Sequence, residues 1–363
     1  MYNWQYKKWP QFEYDLRLLE PQLMGFMMKT GQINGALLAL PQEVGLDAVV
    51  QLLVSEAMKT SEIEGEVISR KDVMSSIKKN LGLQHSKIVG NRYTIGLSEM
   101  LVDVRHTFNE QLTEKKLFHW HKLLMKNNKN VNAGQWRTHN EPMQVVSGSI
   151  SKPTVHFEAP PSKTVPKEMA RFIKWFNETS NDSTFHPMVR AAIVHLYFES
   201  IHPFEDGNGR IGRALLEKAL SQGTGSPIVI SISKSIEAQR SEYYEQLQRA
   251  QKTLQITEWI HWFVLMVLAA QDDAEKTVHF TIKKVRFFDK FNNLLNDRQQ
   301  KVLNRMFVEF PQEFKGGMNA TKYMSIVKSS KATATRDLQS LVEMGAFVPV
   351  GAGRSTRYNI AEL

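Results

Sequence analysis

The chain is expected to be mainly α-helical, with one β-hairpin set into its body and a second near the C-terminus. Three observations predict this. Apolar residues recur at helical spacing through most of the chain. Within 135–161 that pattern breaks, and two β-prone runs, MQVV and TVHF, flank a loop containing Gly148. Beyond residue 281, three short helical stretches lead into FVPV–GAGRS–TRYNI, which reads as strand, turn and strand.

The elements follow in order. Residues 1–16 are crowded with aromatics (Tyr2, Trp4, Tyr6, Trp9, Phe12, Tyr14) and contain Pro10, which predicts an extended segment docked on a body. A helical stretch is expected from Pro21 to near Gly45. From there Leu46, Val49, Val50, Leu53, Val54 and Ala57 mark one helical face, and that helix should stop at Gly65. Further helices are expected over 69–81 and 91–128. Pro160 and Pro161 close the hairpin segment. Helices resume with VPKEMARFIKWFNET and PMVRAAIVHLYFES, the second carrying Val189, Ile193, Leu196 and Ile201 on one stripe. Ile211, Leu215 and Ala219 line another helix, and QRSEYYEQLQRAQ and WIHWFVLMVLAA supply two more. The last is too short to span a bilayer and carries His261, so it predicts a buried helix and no membrane partner.

The C-terminal stretches are DRQQKVLNRMF, NATKYMSIVKSS and KATATRDLQSLVEMG. The third points Ala334, Leu338, Leu341 and Val342 inward and Thr333, Arg336 and Gln339 outward, and Gly345 ends it. Three helices with a hairpin wing resemble a winged helix-turn-helix. The expected domains are therefore 1–88, containing the helix at about 46–65; a body over 89–280; and a linker helix with the winged unit over 281–363.

The absence of cysteine from 363 residues excludes disulfides, iron–sulfur clusters and thiolate zinc sites, and fits a reducing, cytoplasmic setting. MYNWQYKKWPQFEYD has no apolar core and is not expected to be a secretory signal. Net charge is +9. Residues 281–363 hold 14 Lys and Arg against 7 Asp and Glu, so most of the surplus is C-terminal. That favours an anionic partner for this part, either DNA, with Arg336 and Gln339 in the groove and Arg354 and Arg357 on the backbone, or a protein surface.

The densest chemistry lies in IHPFEDGNGRIGR, residues 201–213. Gly207 and Gly209 free the backbone for close approach to a ligand. Successive amides entering a helix form an anion nest. Arg210 and Arg213, three apart, suit two adjacent phosphates. Asp206 suits a Mg²⁺ shared with phosphate oxygens. His202, just outside, has an ordinary pKa near ~6.5 and can take a proton from an attacking hydroxyl. Together these residues predict a polyphosphate site with a general base beside it, against the plainer reading of a solvated turn.

HPFEDGNGRIGR also resembles the HPFx(D/E)GNGRxxR signature of the Fic family, with every specified position matched. The likeness extends more loosely over about 90–270. It implies a Fic-fold helical bundle with a β-hairpin flap. It also implies transfer of AMP from ATP to a Ser, Thr or Tyr hydroxyl of a target protein, the chain itself included, with release of pyrophosphate. On this reading His202 is the base, Asp206 holds Mg²⁺, Gly207, Asn208 and Gly209 cradle the phosphates, and Arg210 and Arg213 hold the outer ones. Phe204 would anchor the loop, and Glu205, at the variable position, would be solvated. The predicted hairpin at 143–158, with Val145, Val146 and Ser147, would clamp the target as an added strand. Tyr243 and Tyr244 would border the adenine. Gly209 stands where a kinase-type branch of the family carries Lys.

KTSEIEGE resembles the family's (S/T)xxxE(G/N) inhibitory helix, with Thr60 and Glu64 in the key positions. The likeness implies that Glu64 pairs with Arg213, removes its charge from the γ-phosphate site and misaligns the α-phosphate. In some relatives the same glutamate supports removal of AMP, and the sequence is compatible with either. The alternative function is a nucleotide-sensing or de-AMPylating part of a DNA-binding regulator. A second copy of the chain is also among the partners considered. His119, His121, His139, His156, His186 and His195 lack ligand spacing and read as structural.

Overall fold

The computed structural model describes residues 1–83, 91–126, 128, 130–149, 152–308, 314 and 316–361, without the side chains of 147–153 and 354. The chain divides into two compact units. One comprises 1–35 and 49–274, the other 36–48 and 275–363.

Helix α1 spans Glu20–Leu38 and α2 spans Gln42–Ile63. The break predicted near Gly45 falls at 39–41 instead. Pro41 has no amide to donate and disfavours helix in the residue before it. Gly45 lies inside α2, with its amide bonded to Pro41 O at 3.1 Å. The stop at Gly65 holds, with φ of 80°. Helix α3 (Arg70–Asn80) is capped by Ser69. The stretch expected as one helix over 91–128 is two, α4 (Arg92–His106) and α5 (Glu114–Leu124). Thr113 caps α5, accepting from Lys116 N at 3.1 Å, and buried Lys218 donates to Thr107 O and Phe108 O at the end of α4.

Strands β1 (Gln144–Ser149) and β2 (Lys152–Glu158) form the expected antiparallel hairpin, with an irregularity between Val145 and Val146. Gly148, expected in the loop, pairs with Pro153 inside the ladder. Helix α6 is Val165–Glu178, α7 Pro187–Ile201, α8 Asn208–Thr224, α9 Ile232–Ala238, α10 Arg240–Ala250 and α11 Thr257–Phe291. Helix α7 is buried all round rather than along one stripe, which makes it the central rod of its unit. Helix α9 has no clear sequence signal, because SPIVISISKS is β-branched and reads as strand. Its first turn is held from outside: the buried Glu56 carboxylate of α2 accepts from Ser233 N at 2.8 Å and Ser231 Oγ at 3.1 Å.

The aromatic N-terminus docks as expected. Asn3 N donates to Gln251 O at 2.7 Å and Asn3 Nδ2 to Ser200 Oγ at 2.8 Å. Trp4 Nε1 donates to Glu158 O at 2.8 Å, at the base of the hairpin. Trp9 meets Tyr197 edge-on at 5.1 Å and donates to Glu168. One short segment thus braces β2, α7 and the end of α10.

In the second unit, α12 (Asp297–Val308), α13 (Ala320–Val327) and α14 (Lys331–Glu343) precede an antiparallel pair, β3 (Phe347–Val350) and β4 (Arg357–Ile360). Phe287, Phe291, Leu303, Tyr323, Leu338 and Phe347 are among its core residues. As expected, Ala334, Leu338 and Leu341 are buried on α14, and Arg336 and Gln339 are exposed. Arg357 lies on β4; the side chain of Arg354 lies outside the described residues. Among the described residues no helix is long and apolar enough to cross a membrane.

Candidate active site

The motif loop is fixed at both ends by left-handed residues. His202 closes α7 at φ 50°, ψ 60°, and Gly207 opens α8 at φ 81°. Glycine accepts this conformation freely, but for histidine it costs about 1–2 kcal/mol. Surrounding bonds hold it there. His202 N donates to Phe198 O at 2.9 Å, and Arg137 Nε donates to His202 O at 2.8 Å. The same guanidinium reaches Ser162 Oγ at 2.9 Å and Pro160 O at 2.5 Å, so one buried arginine ties the loop to the segment leaving the hairpin.

Inside the loop, Asn208 Oδ1 accepts from Phe204 N at 2.9 Å and its Nδ2 donates to Phe204 O at 2.8 Å. The Asn208 side chain is therefore spent on loop shape. Phe204 is fully buried, stacked on His121 at 4.1 Å, which agrees with its reading as an anchor. His121 in turn accepts from Gly134 N at 2.9 Å. Glu205 departs from expectation. Its oxygens accept from Asn132 N at 3.1 Å and Nδ2 at 3.2 Å, because the turn brings its carboxylate against a neighbouring loop rather than into open solvent.

These elements border a cleft of about 830 Å³. Val145 and Val146 line it from the hairpin, His202, Asp206, Gly207, Asn208, Gly209 and Arg213 from the motif, Tyr243 and Tyr244 from α10, and Glu64 from α2. Ser147 pairs with Thr154 in the ladder, and its side chain lies outside the described residues. Tyr243 is buried, its hydroxyl 2.9 Å from His195 Nε2; Tyr244 is partly exposed, with the Arg240 guanidinium 6.0 Å over its ring. Arg240 also donates to Ile63 O at 2.7 Å, joining α10 to the end of α2.

Arg213 is almost fully buried. Its Nε donates to Thr60 Oγ1 at 2.8 Å and its NH2 to Glu64 Oε1 at 2.6 Å. The contact depends on Gly209, since a Cβ there would lie 2.7 Å from Glu64 Oε1. Burial works to raise the Glu64 pKa, but the charge and hydrogen bond of Arg213 and the charge of Arg210 together outweigh it, and the carboxyl stays below its usual range. Burial likewise opposes the Arg213 charge, and Glu64, together with Tyr243 and Glu199, more than restores it. Arg210 does not share this position. It donates to Asp206 Oδ1 at 2.9 Å and sits 5.7 Å over the Tyr93 ring, so the two arginines face different partners.

Asp206 Oδ1 also accepts from Gly207 N at 2.5 Å. Its side chain is 44% exposed, which leaves the carboxylate accessible from the cleft. Among the described residues no three His, Asp or Glu converge as a metal cage. A Mg²⁺ held by one carboxylate, phosphate oxygens and waters needs no such cage, and Asp206 fits that pattern. His202 is pulled down to about 4 by burial and then by the Arg137 charge, so it is neutral near pH 7 and able to accept a proton.

Sequence reasoning did not pick out Arg137, Arg240 or Glu199. Glu199 is buried on α7 with its oxygen Oε2 3.6 Å from His202 Nδ1, and burial pushes its carboxyl up to about 8. Its spacing of three residues before His202 was the available signal.

Two stretches of the chain are similar to known protein families. Residues 2–83 match a domain of unknown function, DUF4172, and residues 111–220 match the Fic/DOC family. A relative from Nematostella vectensis named protein adenylyltransferase Fic is 24% identical over 207 residues, covering 56% of this chain and 44% of the relative. Protein adenylyltransferase fic-1 of Caenorhabditis elegans is 25% identical, covering 53% of this chain and 35% of its own length. The chain thus spans less than half of these curated relatives. Among solved structures, a Fic family protein from Desulfovibrio desulfuricans G20 superposes with a TM-score of 0.56 at 20% identity, covering 97% of this chain and 98% of that one. Fic-1 of C. elegans (residues 134–508) gives 0.51 at 19% identity, covering 72% and 73%. These two establish likeness of fold. The full 202–213 signature lies within the stretch, 111–220, that is similar to the Fic/DOC family.

Proposed function

We propose that the protein is an adenylyltransferase that moves AMP from ATP to a hydroxyl of a target protein, restrained by Glu64. The observation that carries this reading is one cleft bordered by a neutral His202, the Gly207–Gly209 backbone and a buried Arg213 already occupied by a carboxylate. The names of the matched relatives support it. Residues 89–280 would form the catalytic body, 1–88 its restraint and 281–363 an adaptor.

In the reaction, the target hydroxyl oxygen attacks the α-phosphorus in line. Its proton passes to His202. The bond between the α-phosphorus and the β-bridging oxygen breaks, and pyrophosphate leaves with the electron pair. The amides opening α8 and its dipole stabilise the phosphate charge. Arg213 serves the γ-phosphate once Glu64 withdraws, and Arg210, released from Asp206, serves its neighbour. Asp206 would hold Mg²⁺, which when bound neutralises phosphate charge. Tyr244 and Tyr243 would border the adenine. Val145, Val146 and Ser147 would pair with the target backbone, so selection would be loose in sequence. With Glu64 in place, the triphosphate lacks its γ anchor and the α-phosphorus is out of line; a misplacement of ~1 Å is enough for about a hundredfold loss.

The test uses ATP labelled at either the α- or the γ-phosphate. Protein-bound label from the α position alone supports AMP transfer, and label from the γ position overturns it.

For 281–363 we propose binding to DNA through α14, supported by the exposed Arg336 and Gln339 and the local positive surplus. Anisotropy of labelled duplex DNA with the full chain should weaken as salt rises and weaken further in Arg336→Ala. Binding insensitive to both overturns it in favour of a protein partner.

A further inference from the structure

We propose that Glu199 is a positioning residue for His202: its carboxylate accepts a hydrogen bond from Nδ1–H of the imidazole and so leaves Nε2 bare for the target hydroxyl. This rests on the AMP-transfer reading of the cleft, but its geometry stands apart from that reading.

Two buried polar atoms lack partners at this point. Among the described residues neither His202 Nδ1 nor Glu199 Oε1 has a hydrogen-bond partner of good geometry, and the main-chain carbonyl of Glu199 is a second acceptor close to the imidazole. The second carboxylate oxygen, Oε2, lies 3.6 Å from Nδ1, beyond a hydrogen bond and within reach of a small ring rotation. Buried polar groups left unpaired are rare, and they concentrate where a group must change its proton.

Separate features of the chain converge on this contact. The left-handed turn at His202 and the Arg137 bond to its carbonyl fix the backbone from which the ring projects. Glu199 precedes His202 by three residues on α7, so both lie on one face of the helix end. Room for the carboxylate comes from Gly212 of α8, where a Cβ would lie 2.4 Å from Glu199 Oε1. Of the charges around the pair, Arg137 bonds backbone carbonyls and Asp206 bonds Arg210, while Arg213, held by Glu64 and Thr60, still favours the Glu199 carboxylate and Glu64 opposes it. His195, also against Gly212, bonds Tyr243. Glu199 is therefore the carboxylate placed beside the base, with its Oε1 unpaired among the described residues.

The proton balance follows. Nδ1–H donates to Glu199, Nε2 accepts the target proton as the oxygen–phosphorus bond forms, and the resulting imidazolium is held by the carboxylate until Nε2 gives its proton to solvent. The pair must be in its carboxylate, neutral-imidazole state to act, as a carboxylate and histidine do in acyl transfer. With Glu64 in place burial pushes the Glu199 carboxyl up to about 8; in Glu64→Gly, which removes a like charge and frees Arg213, the rise of rate with pH should fall below that value.

The test uses the full-length protein with Glu64→Gly and compares Glu199→Gln and Glu199→Met. ¹⁵N-histidine NMR, with the His202 signal identified by its loss in His202→Ala, should find Nδ1 protonated and Nε2 bare. In Glu199→Met, which keeps the volume and removes the acceptor, the signal should become a mixture of tautomers. With Mg²⁺ and α-labelled ATP, both variants should lose about a hundredfold in kcat with the KM for ATP unchanged. Glu199→Gln should also lose the rise in rate with pH. A His202 tautomer indifferent to Glu199→Met, or a pH limb that survives in Glu199→Gln, overturns the proposal. Absence of α-label transfer in every protein sinks the catalytic reading instead, and the NMR arm still decides the contact.

Discussion

Arg298 and Arg213 each grip a carboxylate on another helix, yet their surroundings are finished differently. Around Asp337 every bond is closed. Arg298 donates at 2.8 and 3.1 Å, Tyr323 at 2.9 Å and Asn296 at 3.2 Å, and Gln299 takes the Asp337 carbonyl at 3.2 Å. Around Arg213 the bonds open onto a cleft. One partner, Glu64, itself lines the cleft, and the neighbouring His202 and Glu199 have atoms unpaired among the described residues. A closed polar network fixes a fold, while an open one beside a cleft is prepared for an incoming group.

That contrast can be broken by substitution. The largest effect is expected in the open network. His202→Ala should lower α-label transfer by about 10³-fold, measured as initial rate, while the protein remains folded. Next, Glu64→Gly should raise transfer by about a hundredfold. It should also leave the buried Arg213 charge unpaired, lowering apo stability by about 3 kcal/mol in denaturant melts, with recovery on adding Mg-ATP. In the closed network, Asp337→Ala should destabilise the 275–363 unit by about 2 kcal/mol and leave transfer unchanged. A loss of transfer in that variant would merge the two networks and remove the distinction.

A separate expectation concerns stability against pH. His121, His195 and His202 are each held near 4 mainly by burial, below the unfolded value of about 6.5. Their contribution is full above about 6.5 and is lost as pH falls towards 4. Glu199 and Glu217 are pushed to about 8 by burial. Theirs is full below about 4.5 and is lost as pH rises through 8. The apo melting temperature should therefore be highest near pH 6 and fall on both sides. A Tm that climbs steadily from pH 6 to 9 would contradict the buried-acid assignment.

The two networks also differed in legibility. The 202–213 loop was readable because its residues are adjacent, so spacing alone carries the geometry. Glu64 and Thr60 became readable only through their resemblance to a known helix, since 149 residues separate Glu64 from Arg213. Nothing local marks Arg137, whose carbonyl partners at Pro160 and His202 are contiguous only in the fold. Glu199 was hidden by the helical stripe it interrupts: a polar residue on a core helix reads as a solvated face until the helix proves buried all round. The break at Pro41 lost out to a glycine that turned out helical, and α9 was obscured because its N-terminal turn is capped by Glu56 from another helix. Short-range chemistry is written in the sequence, whereas partners supplied across the core are not.

The most direct test of the restraint at Arg213 is the initial rate of α-label transfer in wild type, Glu64→Gly and Glu64→Gly with Arg213→Ala, at saturating Mg-ATP. The account predicts a low wild-type rate, a large gain in the single variant, and loss of that gain when Arg213 is also removed. Equal rates in wild type and Glu64→Gly, or a gain that persists without Arg213, would contradict it.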